Sequence, residues 1–332
     1  MAANKLILPE SVIDDIVSAT GATDVQIAKT LQELWSGYGS IVQLQLEGAT
    51  TSSSILKLIE PAQQTQHPRG WNTSASHQRK IRSYQIETHW YQHYANQCDA
   101  NCKVPSVIAT GISDVRQWIL MEDLSETYPR RAAVLSVSQA EVCLRWLAAF
   151  HAMFLQRKPA GLWAVGTYWH LETRAEELQA MPEGQLKTMA PELDDRLNNS
   201  EYQSIVHGDA KVANFCFSEK LDAVAAVDFQ YVGGGVGIKD VVYFLGSCLD
   251  EDTIELHEAN LLSVYLSALH ERVTIIHGPE TADRVEREWS DLYAIAWTDF
   301  YRFLEGWMPG HKKINRYTKQ VAQRAFHQLL KN

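Results

Sequence analysis

The sequence predicts an α+β protein in which strands and helices share the first 121 residues and helices dominate the remainder. Three observations carry that expectation. Ile41-Val42-Gln43-Leu44-Gln45-Leu46 and Ser54-Ile55-Leu56-Lys57-Leu58-Ile59 alternate or run apolar at strand length, the pattern of strands with a buried face. The last third repeats apolar residues at helical spacing, most densely over residues 289–307. Between these regions, Ser204-Ile205-Val206 and Phe215-Cys216-Phe217 bracket a polar loop, as two buried strands joined by a functional connection would.

Composition narrows the class. A chain of 332 residues can build one large domain or two lobes with cores of their own. Its 45% hydrophobic and 21% charged content is ordinary for a soluble globular enzyme. No apolar run approaches the roughly 20 residues of a membrane span, and the N-terminus lacks a basic region leading into an apolar stretch. No membrane partner and a cytoplasmic location are therefore expected. A net charge of −10 argues against nucleic acid as a partner and is compatible with a cationic substrate. The five cysteines are odd in number and scattered, and Cys98 and Cys102 lack a convincing metal or redox spacing, so reduced thiols are expected.

The bracketed loop is His207-Gly208-Asp209-Ala210-Lys211-Val212-Ala213-Asn214. It presents a carboxylate, an ammonium two residues on and an amide five residues on. Fourteen residues past the amide, Ala223-Val224-Ala225-Ala226-Val227 runs into Asp228-Phe229-Gln230. A carboxylate closing an apolar strand is costly to bury unless a cation meets it. Asn214 and Asp228 form a hard oxygen pair on adjacent strands, suited to Mg²⁺ that keeps waters and shares phosphate oxygens. Asp209 is then left to orient and deprotonate a hydroxyl, and Lys211 to neutralise a transferring group. An isolated His-Gly-Asp is more often a turn with Asp as a cap; the second, linked motif reverses that preference.

These two motifs resemble the catalytic loop and metal-binding turn of the protein-kinase-like superfamily, in the form used by aminoglycoside phosphotransferases and choline kinases. Lys211 and the Asp-Phe-Gln make the ecdysteroid-kinase-like (CHK-type) small-molecule kinases the nearest likeness. The resemblance implies a two-lobed protein-kinase-like fold, with a small N-lobe of antiparallel sheet and helix over residues 1–121, a hinge at 122–126 and a larger, mainly helical C-lobe over 127–332. It spans most of residues 34–307, but only 207–228 is specific.

In chain order, residues 9–34 read as two helices. The first starts at Pro9 and carries Val12, Ile13, Ile16 and Val17; the second is capped by Thr23 or Asp24 and carries Val25, Ile27, Leu31 and Leu34. Gly37 and Gly39 then open a strand, where missing side chains let backbone N–H groups approach nucleotide phosphates, although a two-glycine turn is usually only a turn. Lys57, on the following strand, would usually be a solvated outward residue. Its place after the glycine turn matches the lysine that meets nucleotide phosphates in the resembled fold, and Glu87, on a helix over residues 76–97, is then the acid that holds it. Residues 61–75 are polar and aperiodic, a lid or a loose loop. Strands follow at 107–109 and 118–121 with a turn at 111–115. Met121, Glu122 and Leu124 fall where the resemblance places the hinge, whose backbone would read an adenine edge.

A helix beginning with Ser138 as cap and Glu141 as capping-box partner opens the C-terminal part; His151 on its apolar face reads as a satisfied core histidine. Residues 233–240 resemble neither a Walker loop nor a dinucleotide fingerprint. Asp240 is expected to cap the next helix and reach back to the catalytic loop, with His207 a buried brace. The aromatics of residues 289–307 read as core first, with a minority, beside Asp299 or Glu305, lining a pocket suited to a protonated amine.

The function implied is an ATP- and Mg²⁺-dependent phosphotransferase acting on a hydroxyl of a small molecule, cationic or hydrophobic. Asp209 and Lys211 would be catalytic, Asn214 and Asp228 metal-binding, and Lys57, Glu87, Gly37, Gly39, Met121, Glu122 and Leu124 nucleotide-binding. The alternative is a catalytically silent, nucleotide-binding scaffold.

Overall fold

The computed structural model describes residues 7–34, 37–60, 74–113 and 116–331. The chain divides into two compact units, one of Met1–Gln97 with Val104–Glu126 and the other of Cys98–Lys103 with Thr127–Asn332.

The first unit is organised by five antiparallel strands: β1 (Asp24–Glu33), β2 (Gly39–Glu47), β3 (Ser53–Ile59), β4 (Val107–Ser113) and β5 (Arg116–Glu122), in the order β1-β2-β3-β5-β4. Strict alternation in β2 sends Val42, Leu44 and Leu46 to one face, where Leu56, Leu58, Trp118 and Leu120 join them under Val12 and Ile16 of helix α1 (Glu10–Thr20). Helix α2 (Ser74–His93) carries Tyr84, Ile86 and Trp90, all buried. An α+β sheet-and-helix unit is what the alternating segments predict.

Residues 24–33 form a strand, not the expected second helix. Ile27, Leu31 and Leu34 have helical spacing, yet Leu31 is 46% exposed, so no buried stripe corresponds to it. Pairing with β2 from Asp24↔Glu47 to Glu33↔Ser40 satisfies this backbone instead, and register shifts at Ile27/Lys29 and Thr30/Gln32 disturb the two-residue period that would have announced a strand. Trp35, Ser36, the tip of the turn at residues 114–115 and the lid-or-loop stretch 61–73 lie outside the described residues.

The second unit is helical, with α3 (Val137–Met153), the short α4 (Ala175–Ala180), α5 (Gln185–Thr188) and α6 (Ala190–Asn198), then α7 (Ile238–Cys248), α8 (Glu251–His277), α9 (Pro279–Asp291), α10 (Tyr293–Trp307) and α11 (Arg316–Leu329). Two small antiparallel ladders interrupt it: β6 (Ser204–Val206) pairs with β9 (Gly233–Gly235), and β7 (Phe215–Phe217) with β8 (Val224–Ala226). The capping box of α3 uses Ser136 and Gln139, not Ser138 and Glu141. Glu141 lies a turn further in and is taken by Arg145 and Asn260. Among the described residues no helix is long and apolar enough to cross a membrane, and the five cysteines are free thiols.

Candidate active site

Two constellations of charged side chains stand out, one in each unit. In the first, Lys57 occupies the middle of the sheet, between Ile41 of β2 and Ile119 of β5. Leu56 and Leu58 use the face packed on α1, so alternation turns Lys57 to the opposite face. There its ammonium donates to both carboxylate oxygens of Glu87, at 2.9 and 2.7 Å, with side-chain exposures of 3% and 1%. Burial at that level requires a full-charge partner. Gly37 has φ 72° and Gly39 φ 123°, and a Cβ on Gly39 would stand 2.0 Å from the Leu58 carbonyl oxygen, so the chain can enter β2 against β3 only as glycine. Met121 and Leu124 are buried, while Glu122 is half-buried and accepts the Ser106 N–H at 2.9 Å.

In the second unit, β6 delivers the loop. Asp240 accepts the backbone N–H groups of His207 at 2.6 Å and Gly208 at 2.9 Å, and the Nε2–H of His151 at 3.1 Å. Asp240 thus braces the loop from the first turn of α7. It does not cap that helix, whose N-cap is Gly237 without a side-chain bond. His207 is fully buried, donates from Nε2 to the Val227 carbonyl at 3.1 Å and accepts the Asp209 N–H on Nδ1 at 3.3 Å. That is the pattern of a neutral ring. Burial holds its pKa below the usual histidine value against the pull of Asp240, Asp209 and Asp228. Gly208 has φ 78°, and a Cβ there would meet the Tyr231 carbonyl oxygen at 2.0 Å.

The turn then presents its polar heads. Lys211 Nζ donates to Asp209 Oδ2 at 2.7 Å, and Asn214 Nδ2 donates to the Asp209 carbonyl at 2.8 Å and to Oδ2 at 3.1 Å. Burial pushes the Lys211 ammonium down, but the Asp209 and Asp228 carboxylates more than offset it, and its pKa ends above the usual lysine value. The Val212 N–H donates to Ser247 Oγ at 2.8 Å, tying the turn to α7. Asn214 continues the β7–β8 ladder by accepting the Val227 N–H at 2.9 Å, which brings residue 214 beside Asp228. Asp228 itself adopts φ 70°, left-handed for a residue with a side chain, and accepts Gln230 Nε2 at 2.6 Å. The nitrogen of the Asn214 amide is committed to Asp209, which leaves its oxygen as the donor a metal could use. Among the described residues no group of three or more His, Cys, Asp or Glu gathers as a metal site. An amide oxygen and a carboxylate, as Asn214 and Asp228 carry, are hard donors whose chemistry would fit Mg²⁺, which usually binds through one or two protein oxygens.

Around Asp209 the structure gathers aromatic residues from several segments. Burial and the Asp209 carboxylate raise the pKa of the Tyr168 and Tyr243 hydroxyls. Ring contacts run from Trp163 to Tyr231 (6.3 Å), to Tyr168 (5.9 Å), to Phe303 (5.4 Å) and to Trp307 (5.7 Å). Trp163, Tyr231, Tyr168 and Trp307 are partly exposed; Trp169, Phe300, Phe303 and Leu304 are core. Asp299 does not line a pocket. It is 0% exposed, held by Arg302 Nε at 2.9 Å and 4.0 Å from Lys239 Nζ. Phe303 and Trp307 fall in the aromatic stretch 289–307 that the sequence singles out; Trp163, Tyr168 and Tyr231 carry no such signal.

Residues 163–278, which contain this loop, match the model of the ecdysteroid kinase-like family. The match covers about a third of the chain. No curated protein sequence matches the chain. Among solved structures, a microcompartment-associated aminopropanol kinase superposes over 97% of this chain and 95% of its own, at 16% identity and a TM-score of 0.50, a likeness of fold. A Plasmodium vivax ethanolamine kinase covers 91% and 81% at 10% identity and TM-score 0.49. An amicoumacin kinase in complex with AMP-PNP and Ca²⁺ covers 97% of each at 14% identity and 0.47. The ecdysteroid-kinase-like segment thus sits within an α+β kinase-like fold.

Proposed function

We propose that the protein is an ATP- and Mg²⁺-dependent phosphotransferase that moves the γ-phosphoryl group to a hydroxyl of a small molecule. The observation that carries this reading is the state of Asp209. Both Lys211 and Asn214 donate to Oδ2 and the Tyr243 hydroxyl is hydrogen-bonded to the same side chain, so Asp209 is held in place as the base for an incoming hydroxyl proton. The acceptor oxygen forms its bond to the γ-phosphorus as the bond to the β-phosphate oxygen breaks; the proton goes to Asp209 and ADP leaves. Lys211 offsets charge on the transferring group. Positioning and fixed charges supply most of the acceleration in such transfers.

Asn214 and Asp228 would hold the Mg²⁺, which supplies charge neutralisation on the phosphate oxygens. Lys57, fixed by Glu87, steadies the nucleotide phosphates. Gly37 and Gly39 give backbone approach to them, and the backbone of Met121, Glu122 and Leu124 reads the base. The family match over residues 163–278 supports this reading.

The test is ATP, Mg²⁺ and a panel of ring-containing and acyclic alcohols, read by acceptor-dependent ADP release and by the mass gain of one phosphoryl group on the alcohol. Both signals are expected for at least one acceptor class. Nucleotide binding without either signal across the panel would instead mark a silent scaffold.

A further inference from the structure

One cation beside Asp209 has no part in the transfer just described. Lys313 lies in the connection between α10 and α11. Its Nζ stands 4.9 Å from the ring centre of Tyr243 and 5.3 Å from that of Phe300. No carboxylate among the described residues lies within ion-pairing distance of it. Burial lowers its pKa to about 8, with Cys248 and Asp209 pulling the other way and Lys312 and Lys211 adding to the depression. Arg174, also near these rings, differs: its Nη1 is paired with Glu177 at 3.0 Å and its Nε donates to the Tyr168 carbonyl at 2.6 Å.

Tyr243 and Phe300 are core side chains, and the half-buried Lys313 lays its ammonium against their ring faces, which attract it. The chain thus supplies its own ammonium here. A protonated amine approaching Lys313 meets a like charge in a partly desolvated setting, which disfavours it. An anionic oxygen meets a donor still in need of an acceptor, and a charge-assisted bond between them is among the stronger polar contacts. The partly exposed rings of Trp163, Tyr231, Tyr168 and Trp307 add apolar surface in the same neighbourhood.

We propose that Lys313 selects the acceptor, its ammonium pairing with a carboxylate on a ring-containing alcohol, so that hydroxy acids and not amino alcohols are the preferred substrates. This deepens the phosphotransferase reading of the same site and rests on it. Lys313 is a specificity residue: it holds the far end of the acceptor while Asp209 meets the hydroxyl.

The test compares three matched acceptors, para-hydroxymethyl benzoate, para-methylbenzyl alcohol and para-aminomethyl benzyl alcohol, in wild type, Lys313→Met and Lys313→Arg. Turnover is read as ADP release and binding by titration calorimetry without nucleotide. Wild type is expected to show its lowest KM for the benzoate. Lys313→Met should raise that KM about tenfold to a hundredfold, the worth of one charged hydrogen bond, leave kcat nearly unchanged and lower the KM of the amine. Lys313→Arg should keep the benzoate preference. A wild-type preference for the amine, an unchanged benzoate KM in Lys313→Met, or an equal loss of kcat for all three acceptors would overturn the proposal; the last would put the ammonium on the transferring phosphoryl group. Benzoate binding that Lys313→Met abolishes, without any transfer, would keep the recognition and discard the phosphotransferase. Transfer indifferent to Lys313 would do the reverse, and neither binding nor transfer of the benzoate would overturn the recognition proposal.

Discussion

Two lysine–carboxylate pairs of the same length, 2.7 Å, sit in the two units and differ in what surrounds them. Lys57–Glu87 is sealed, with side-chain exposures of 3% and 1%, whereas Lys211–Asp209 leaves 38% of the lysine and 10% of the aspartate open. The sealed pair occupies the centre of a sheet under a helix, where neither charge can be released without a large desolvation cost. The open pair sits on a short turn, where one carboxylate oxygen carries both donors. Distance alone would make them equivalent; burial makes one a fixture and leaves the other within reach of solvent.

The largest expected effect comes from breaking the sealed pair. Lys57→Met removes the ammonium from a buried carboxylate and should cost about 3–5 kcal/mol of unfolding free energy, read from denaturant midpoints. The double variant Lys57→Met/Glu87→Leu should recover most of that stability while nucleotide-dependent turnover stays lost. If the single variant is as stable as wild type, the pair is not the fixture described.

Next comes Asp240, which holds two backbone N–H groups of the catalytic loop. Asp240→Asn keeps the shape but weakens those bonds, at a cost of about 1–3 kcal/mol. A matching loss of turnover is expected because the loop that carries Asp209 loosens. Hydrogen exchange at the His207 and Gly208 amides checks it; unchanged protection would contradict the brace.

A smaller effect on stability is expected for the open pair. Lys211→Met should cost less stability than Lys57→Met, because Lys211 is 38% open and Asn214 still donates to the Asp209 carboxylate, while lowering kcat at least tenfold. Comparing its unfolding midpoint with its kcat separates the two, and a large stability loss would make Lys211 a second fixture.

The smallest concerns pH. The Lys313 ammonium is present below its pKa of about 8 and lost above it, so kcat/KM for a carboxylate-bearing acceptor should fall as pH rises through that value. The groups acting on this ammonium are Cys248 and Asp209, which favour it, and Lys312 and Lys211, which oppose it. The limb should be missing with a neutral acceptor and displaced upward in Lys313→Arg. A limb of equal size with every acceptor would trace it to another group.

The α+β class was legible because alternation in β2 and the apolar run of β3 are local signals, and the helical repeat of the second unit is another. The loop around Asp209 was legible for the same reason: its carboxylate, ammonium and amide lie within six residues. What the sequence hid was set by tertiary partners. Residues 24–33 became a strand because β2 offered a ladder, against a helical spacing of apolar residues. Capping of α3 shifted by two residues because Glu141 found Arg145 and Asn260. Asp299, adjacent in helical spacing to aromatics, is held in the core by Arg302, three residues on in α10, and by Lys239 of α7, which only the fold brings near. Lys313, about a hundred residues from Asp209, carries no local signal; the connection between α10 and α11 sets it against Tyr243. The left-handed backbone of Asp228 leaves only a weak trace in residue type, aspartate being among the side chains that adopt it more readily.

The most direct test is Asp209→Asn. The substitution preserves shape and removes the base, so the variant should bind an unreactive ATP analogue with wild-type affinity, unfold near the wild-type midpoint and lose roughly 10²–10⁴-fold in acceptor-dependent ADP release. An Asp209→Asn protein that transfers phosphate at the wild-type rate would contradict the account at its centre.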